Sequence, residues 1–299
     1  MIRIGAFASI GLVLATLTVA GIDGRARPLE ILYTNDLHLR FARLESLEAL
    51  IEEERAAGVP VLLLDGGDAL QDFRTPLAAV WGADEMVAWM NRVGYDAMAL
   101  GNHELYWGSD RLVELVAAAR FPILCANLAT PAGLPSPFVA STVHVVDGIR
   151  IFLVGVVTNF HLPYPDFPWL RHVRPATAIR REIERLTEPV DVIVAVGHVP
   201  VAVAAETARD VPGIDVFVTG HSHEETAEPV RVGKTLIVQA GAFGRALGRL
   251  VVDVGDDGAK LLSNDLLRTE EAPIRVGRGL LQLALVVLTF ATTVLLVLL

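Results

Sequence analysis

The sequence predicts an α/β protein in which two β-sheets pack face to face with helices outside them. Three observations predict it. Short apolar runs of strand length alternate with segments whose apolar residues recur at helical spacing. Each of the first three runs leads straight into a small polar cluster. Between two uncharged terminal runs lies a body of 244 residues, Pro28–Glu271, long enough for one domain with a sizeable core.

Taken in order, Leu29–Tyr33, Val59–Leu64, Asp96–Leu100 and Pro122–Cys125 are the first expected strands. Leu44, Leu47, Leu50 and Ile51 mark one face of a helix between the first two. Met86, Val87, Met90 and Val93 mark a second helix, and Leu112, Leu115 and Val116 a third. That alternation reads as βαβ units. Asp147-Gly148 between Thr142–Val146 and Ile149–Val157 is a strong two-residue hairpin signal. A helix over Ala176–Leu186 follows, then strands Val190–Val196 and Ile214–Thr219. Val230–Val232 and Leu236–Gln239 flank Gly233-Lys234, and Leu250–Val254 with Leu261–Leu266 form a last hairpin. There is no repeat of 20–50 residues and no low-complexity tract.

Charge narrows the function. The whole chain is 53% hydrophobic and carries a net charge of −10. Within Pro28–Glu271 there are 20 Lys and Arg against 34 Asp and Glu, a net of −14. Such a body lacks the basic footprint of a nucleic-acid binder. Cys125 is the only cysteine, so no intramolecular disulfide forms, and it reads as a small buried core residue.

The polar clusters carry the chemistry. They are Asp36-Leu37-His38, Gly67-Asp68, Gly101-Asn102-His103-Glu104, Gly197-His198 and Gly220-His221-Ser222-His223. Each follows an apolar run, and in open α/β sheets ligands bind at the carboxyl ends of strands. Five of the eight histidines lie in them. A single Asp-x-His is most often a turn with a satisfied histidine. Five strand ends finishing in Asp, Asn or His call for a common reason, and divalent metal supplies one. Carboxylate, amide oxygen and imidazole together suit ions of intermediate softness. A shared carboxylate bridges two ions about 3.5–4 Å apart, the spacing that suits phosphoryl chemistry. In an extended segment His221 and His223 would point the same way, with Ser222 opposite. His144, His161 and His172 fall outside the clusters and read as surface or structural.

In their order, Tyr33-Thr34-Asn35-Asp36-Leu37-His38, Gly66-Gly67-Asp68, Gly101-Asn102-His103-Glu104, Gly197-His198 and Gly220-His221-Ser222-His223 resemble the calcineurin-like metallophosphoesterases. They are most similar to the catalytic domain of the 5′-nucleotidase branch, as are Gly94–Leu100 and Ile237–Gly244. The resemblance covers about Leu29 to Leu267. It implies a metallophosphoesterase-type two-sheet β-sandwich flanked by helices. It also implies two divalent ions, drawn from zinc, manganese, iron, cobalt or magnesium. Asp36, His38, Asp68 and His223 would hold one; Asp68, Asn102, His198 and His221 would hold the other. His103 would be the catalytic histidine beside the phosphate or leaving group, with Asn102 also contacting substrate. The implied reaction is hydrolysis of a small phosphate ester by a water activated between the metals.

Two departures from the family pattern stand out. The second, C-terminal domain that holds the nucleoside in that branch is expected to be absent, since the body ends near Glu271. Weak nucleotide selectivity is therefore expected. The family also places an aspartate three residues after the catalytic histidine, and here that position is Tyr106. Asp72, on the loop that leaves Asp68, is one candidate for the orienting acid; capping of the following segment is an equal reading. Tyr106 and Trp107 read as packing residues or as a stacking surface for substrate. Two other functions stay open: a nuclease of the same superfamily, which the acidic body argues against, and a non-catalytic metal-stabilised ectodomain that binds a partner.

The ends read as membrane segments. Residues 1–27 contain the uncharged run Ile4–Ile22 and are expected to be a signal peptide or N-terminal anchor. Gly279–Leu299 would extend about 31 Å as a helix, enough to cross a bilayer or to serve as an anchor signal. Arg25, Arg27, Arg275 and Arg278 flank the body, and counting them favours a cytoplasmic body. The resemblance is to an exported branch, so an extracytoplasmic catalytic domain is the expectation.

Overall fold

A computed structural model of the chain describes residues 27–72, 78–129, 136–160, 162 and 170–272. The first half runs β1 (Arg27–Thr34), α1 (Leu44–Ala56), β2 (Val61–Asp65), α2 (Ala78–Val93) and β3 (Ala97–Ala99). A single turn, α3 (Asn102–Leu105), then precedes α4 (Ser109–Ala118), β4 (Ile123–Leu124) and β5 (Leu128–Ala129). The second half begins with β6 (Ser141–Val146), β7 (Ile149–Val157), β8 (Arg171–His172), α5 (Pro175–Glu184), β9 (Val192–His198) and α6 (Val201–Asp210). It ends with β10 (Val216–Thr219), β11 (Val230–Val232), β12 (Thr235–Val238), β13 (Ala246–Gly255) and β14 (Gly258–Arg268).

Two mixed six-stranded sheets result. The first has the order β14-β13-β1-β2-β3-β4, with β1 to β4 parallel and β13 antiparallel to β1. The second has the order β11-β12-β10-β9-β7-β6, with β7, β9, β10 and β12 parallel. The short pair β5 and β8 stands apart. Parallel strands need crossovers, and the helices that supply them cover the outer faces.

The central parallel strands read as continuous apolar runs because both their faces are buried. Along β1, Leu29, Ile31 and Tyr33 face the space between the sheets, where they meet Ile151, Val194 and Val216. Leu32 faces the other way, into a core with Leu47 and Ile51 of α1 and Met86 and Met90 of α2. In the second sheet Phe152, Val154 and Phe217 pack against Ile179 of α5 and Ala204 and Ala208 of α6. The three expected helical faces are thus the buried ones, and the expected hairpins form.

α6 had no expectation in the sequence. Its Val-Ala-Val-Ala opening lacks a 3.6-residue pattern, because alanine serves either face where the sheet lies close. The strand expected to end at Val196 continues to His198, so that histidine is the last residue of β9. Ile4–Ile22 and Gly279–Leu299 lie outside the described residues. Among the described residues no helix is long and apolar enough to cross a membrane.

Candidate metal centre

Every expected ligand follows from where strands stop. β1, β2 and β3 run parallel and lead into Asp36, Asp68 and Asn102, while β9 and β10 of the other sheet deliver His198 and the 220–223 turn. The site therefore lies where the carboxyl ends of both sheets meet. Reaching it bends the backbone. Asp36, His38, Asp68, His221 and His223 all have φ between 47° and 72°, a region that side-chain-bearing residues rarely occupy. Hydrogen bonds hold the bends: Asp36 N to Gly67 O at 2.8 Å, His38 N to Asp68 O at 3.0 Å, and Phe243 N to Asp36 O at 2.8 Å.

The 220–223 segment is a turn, with Ser222 N donating to Gly220 O at 2.9 Å, which corrects the expectation of extended chain there. The two histidines consequently go to different places. Nε2 of His223 is 3.1 Å from Asp36 Oδ1, whereas Nδ1 of His221 is 3.0 Å from Asn102 Oδ1 and 3.2 Å from His198 Nε2. Gly101 permits the closest approach. A Cβ there would lie 2.1 Å from Asp68 Oδ1, so a side chain and the Asp68 loop cannot share that space.

Among the described residues, three sets of side chains each gather ligand atoms within 4.8 Å of one another: Asp36, His38 and His223; Asp68, His198 and His221; and His38, Asp68 and His103. Asp68 and His38 each belong to two sets. Nδ1 of His38 faces the carbonyl of Gln71 at 2.9 Å, and Nδ1 of His198 faces that of Gly66 at 2.9 Å. A carbonyl only accepts, so each Nδ1 donates and the neutral ring turns its Nε2 lone pair into the centre. Nε2 of His198 reaches Asp68 Oδ2 at 3.0 Å.

Asp36 Oδ1 tests whether a cation fits. It is buried without a hydrogen-bond donor, with Nε2 of His38, His223 and His198 at 3.7, 3.1 and 4.0 Å. A buried carboxylate oxygen faced by imidazole nitrogens is costly unless a cation or protons occupy the space. The donor set of carboxylate, imidazole and amide oxygen suits a divalent ion. Protons partly take that part in the metal-free centre. Burial would raise the Asp68 carboxyl, but His198, His103 and His38 hold it well below the usual carboxylate range. Burial would lower His198, but Asp68 and then Asp36 push it up to about 10. For His103 burial wins over Asp68 and lowers the pKa.

Several supporting residues lie in or beside the motifs without an expected role. The buried carboxylate of Glu104 accepts from Asp68 N at 3.0 Å, Leu70 N at 2.9 Å and Gly101 N at 2.8 Å, so it clamps the Asp68 loop. Burial, then the charge of Asp68, pushes its pKa up to about 7. Asn35 joins Asp36 Oδ2 at 2.7 Å to the 240–241 loop, and Gln239 holds Gly220 O and Glu224 N. The Asp/His spacing singled out the ligands; these amides carry no comparable signal, since Asn and Gln recur in any turn.

Nδ1 of His103 meets Oε1 of Gln71 at 3.1 Å, and the buried Asp72 carboxylate lies 3.7 Å from Arg40. Trp107 donates its indole N–H to Leu70 O and packs on the helical core, while Tyr106 stands half exposed, 5.8 Å edge-on from His103. Cys125 is buried and its thiol is pushed up to about 12 by burial. His144 pairs with Asp96 and His172 with Asn127, and neither histidine belongs to the three sets; His161 lies outside the described residues.

Fold and site together define a calcineurin-like phosphoesterase body, and residues 29–225 match that family. The chain is 33% identical to the 5′-nucleotidase of Bos taurus over 83% of its own length and 51% of that protein. Among solved structures it resembles the 5′-nucleotidase precursor of Thermus thermophilus, with a TM-score of 0.72 and 26% identity, over 90% of this chain and 59% of that one. It also shares the fold of the NAD nucleotidase of Haemophilus influenzae, with a TM-score of 0.73 and 22% identity, over 82% and 51% of the two chains. The chain spans about half the length of the curated relatives it matches. It belongs to the calcineurin-like phosphoesterase family, whose members use divalent metals.

Proposed function

We propose that this protein hydrolyses small phosphate esters at a centre of two divalent ions. The observation that carries the reading is the pair of His/Asp sets that lie side by side and leave a buried Asp36 oxygen without a donor. Asp36, His38 and His223 would hold one ion, and His198, His221 and Asn102 the other, with Asp68 between them. When bound, such ions supply Lewis acidity to phosphate oxygens and lower the pKa of water. The protein's own residues do the rest. The Nδ1 bonds to main-chain carbonyls keep His38 and His198 in the ligating tautomer. His103, beside Asp68, would donate from Nε2 of the protonated imidazolium to the phosphate or the leaving oxygen, its Nδ1 proton staying hydrogen-bonded to Gln71. No covalent nucleophile is called for, and Cys125 is too buried to act as one.

The names of the relatives make 5′-nucleotides the first esters to assay, beside a generic aryl phosphate. Phosphate release from the metal-reconstituted chain tests the reading. Asp68→Ala is expected to lower metal content at both positions and to abolish release. Full metal content in that variant, or no release from any ester by the wild type, refutes it. The uncharged runs Ile4–Ile22 and Gly279–Leu299 support a membrane-held chain with its body outside the cytoplasm.

A further inference from the structure

His38 and His103 are edge-to-face neighbours, with ring centroids 4.8 Å apart, and both turn Nδ1 toward one residue. Gln71 meets His38 with its main-chain oxygen at 2.9 Å and His103 with its carboxamide oxygen at 3.1 Å. It is only 6% exposed, so neither contact competes with bulk water. We propose that Gln71 is the positioning residue of this centre, fixing the tautomer and direction of both rings.

The two contacts act alike because both oxygens can only accept. Each Nδ1 must then carry its proton, which leaves Nε2 of both rings facing the centre. For His103 that nitrogen lies 3.8 Å from Asp68 Oδ2, where it would take the second proton that the imidazolium gives to a leaving oxygen. A carboxamide also does this without adding charge. The centre already buries the carboxylates of Asp36 and Asp68. Asp72, the neighbouring acid, has Arg40 beside its carboxylate.

Because the two bonds come from different parts of Gln71, one substitution separates them. Gln71→Leu removes the carboxamide and keeps the main-chain oxygen, so His38 keeps its Nδ1 acceptor and His103 loses the one at 3.1 Å. The effect on rate rests on the hydrolase reading; the effect on the ring does not. Long-range proton–nitrogen spectra of the metal-free full-length chain, labelled at histidine and assigned with His103→Asn, read the tautomer directly. Wild type and Gln71→Glu are expected to show His103 protonated at Nδ1, and Gln71→Leu a mixture of tautomers. With metal restored at unchanged content, Gln71→Leu should lose about 10- to 100-fold in kcat on an alkyl phosphate. It should lose much less on p-nitrophenyl phosphate, whose leaving oxygen needs little help, and Gln71→Glu should rescue the alkyl rate. Should Gln71→Leu fail to fold, Gln71→Asn, too short to reach the ring, carries the same measurements. An unchanged His103 tautomer in the folded variant overturns the proposal even if no ester is ever cleaved. So does an equal loss on both esters. A chain with the expected tautomers but no hydrolysis would instead overturn the functional reading alone.

Discussion

At His198 burial and charge pull in opposite directions, and charge wins. The imidazole lies 3.0 Å from Asp68, and its pKa is pushed up to about 10 although the ring is fully buried. A folded-state pKa above the ordinary 6.5 stabilises the metal-free protein fully below pH 6.5, and that contribution is lost as pH rises toward 10. A metal needs the neutral ring, so it must displace this proton. Metal affinity is therefore expected to rise steadily between about pH 6 and 8, with protons released on binding. Calorimetric titration in buffers of different ionisation enthalpy measures both, and a pH-independent affinity with no proton release would contradict it. At this scale the side chains that gather at the centre were legible, because Asp, Asn and His after five apolar runs is an uncommon pattern. Gln71 was not, because what distinguishes it is the direction of one carboxamide. Its neighbour Asp72, an acid on the loop that leaves Asp68, was the more visible candidate.

Among the elements, β1 shows how two layers are read from one run. Ile31 is fully buried between the sheets, beside Leu62, Val194 and Val216. Ile31→Ala is expected to cost about 2–5 kcal/mol, since a closely packed interior collapses only in part around the cavity. Urea unfolding of the body would measure it, and a cost under about 1 kcal/mol would show that the space between the sheets is loosely filled. A second link joins the sheets at their edge. His144 of β6 pairs with Asp96, just before β3, at 3.2 Å, and that hydrogen bond raises the imidazole's pKa. A raised histidine pKa stabilises below pH 6.5 and stops doing so as pH climbs through the folded value. The pair is partly exposed, so its worth is about 1 kcal/mol or less. His144→Gln should thus lower the melting temperature slightly at about pH 5.5 and leave it unchanged at about pH 8.5. An equal loss at both would show packing rather than charge.

The whole molecule has a net charge of −10, with the excess of acid in the body between two uncharged runs. That distribution argues for small substrates over nucleic acid, because the phosphate backbone rewards basic surfaces. It also frames the test of membrane placement. Protease added to intact cells is expected to digest the body without opening the membrane. Survival until the membrane is opened would place it in the cytoplasm, as the flanking Arg25, Arg27, Arg275 and Arg278 suggest.

By itself the sequence determined the α/β class, the strand-and-helix alternation, the buried faces of the first helices and the Asp, Asn and His residues that the fold gathers at one place. These are local properties: periodicity, hairpin dipeptides, and ligand types placed directly after apolar runs. The tertiary structure alone decided the pairing of those residues. Asp36 of one sheet meets His223 of the other, across 187 positions of chain, and nothing in the spacing of either cluster states that contact. It also bent the 220–223 segment into a turn, sending two histidines one residue apart to different sets. The reason is that strand periodicity specifies which way a side chain points within its own sheet. Where two sheet edges meet depends on how both layers pack, and that is a property of the assembled core.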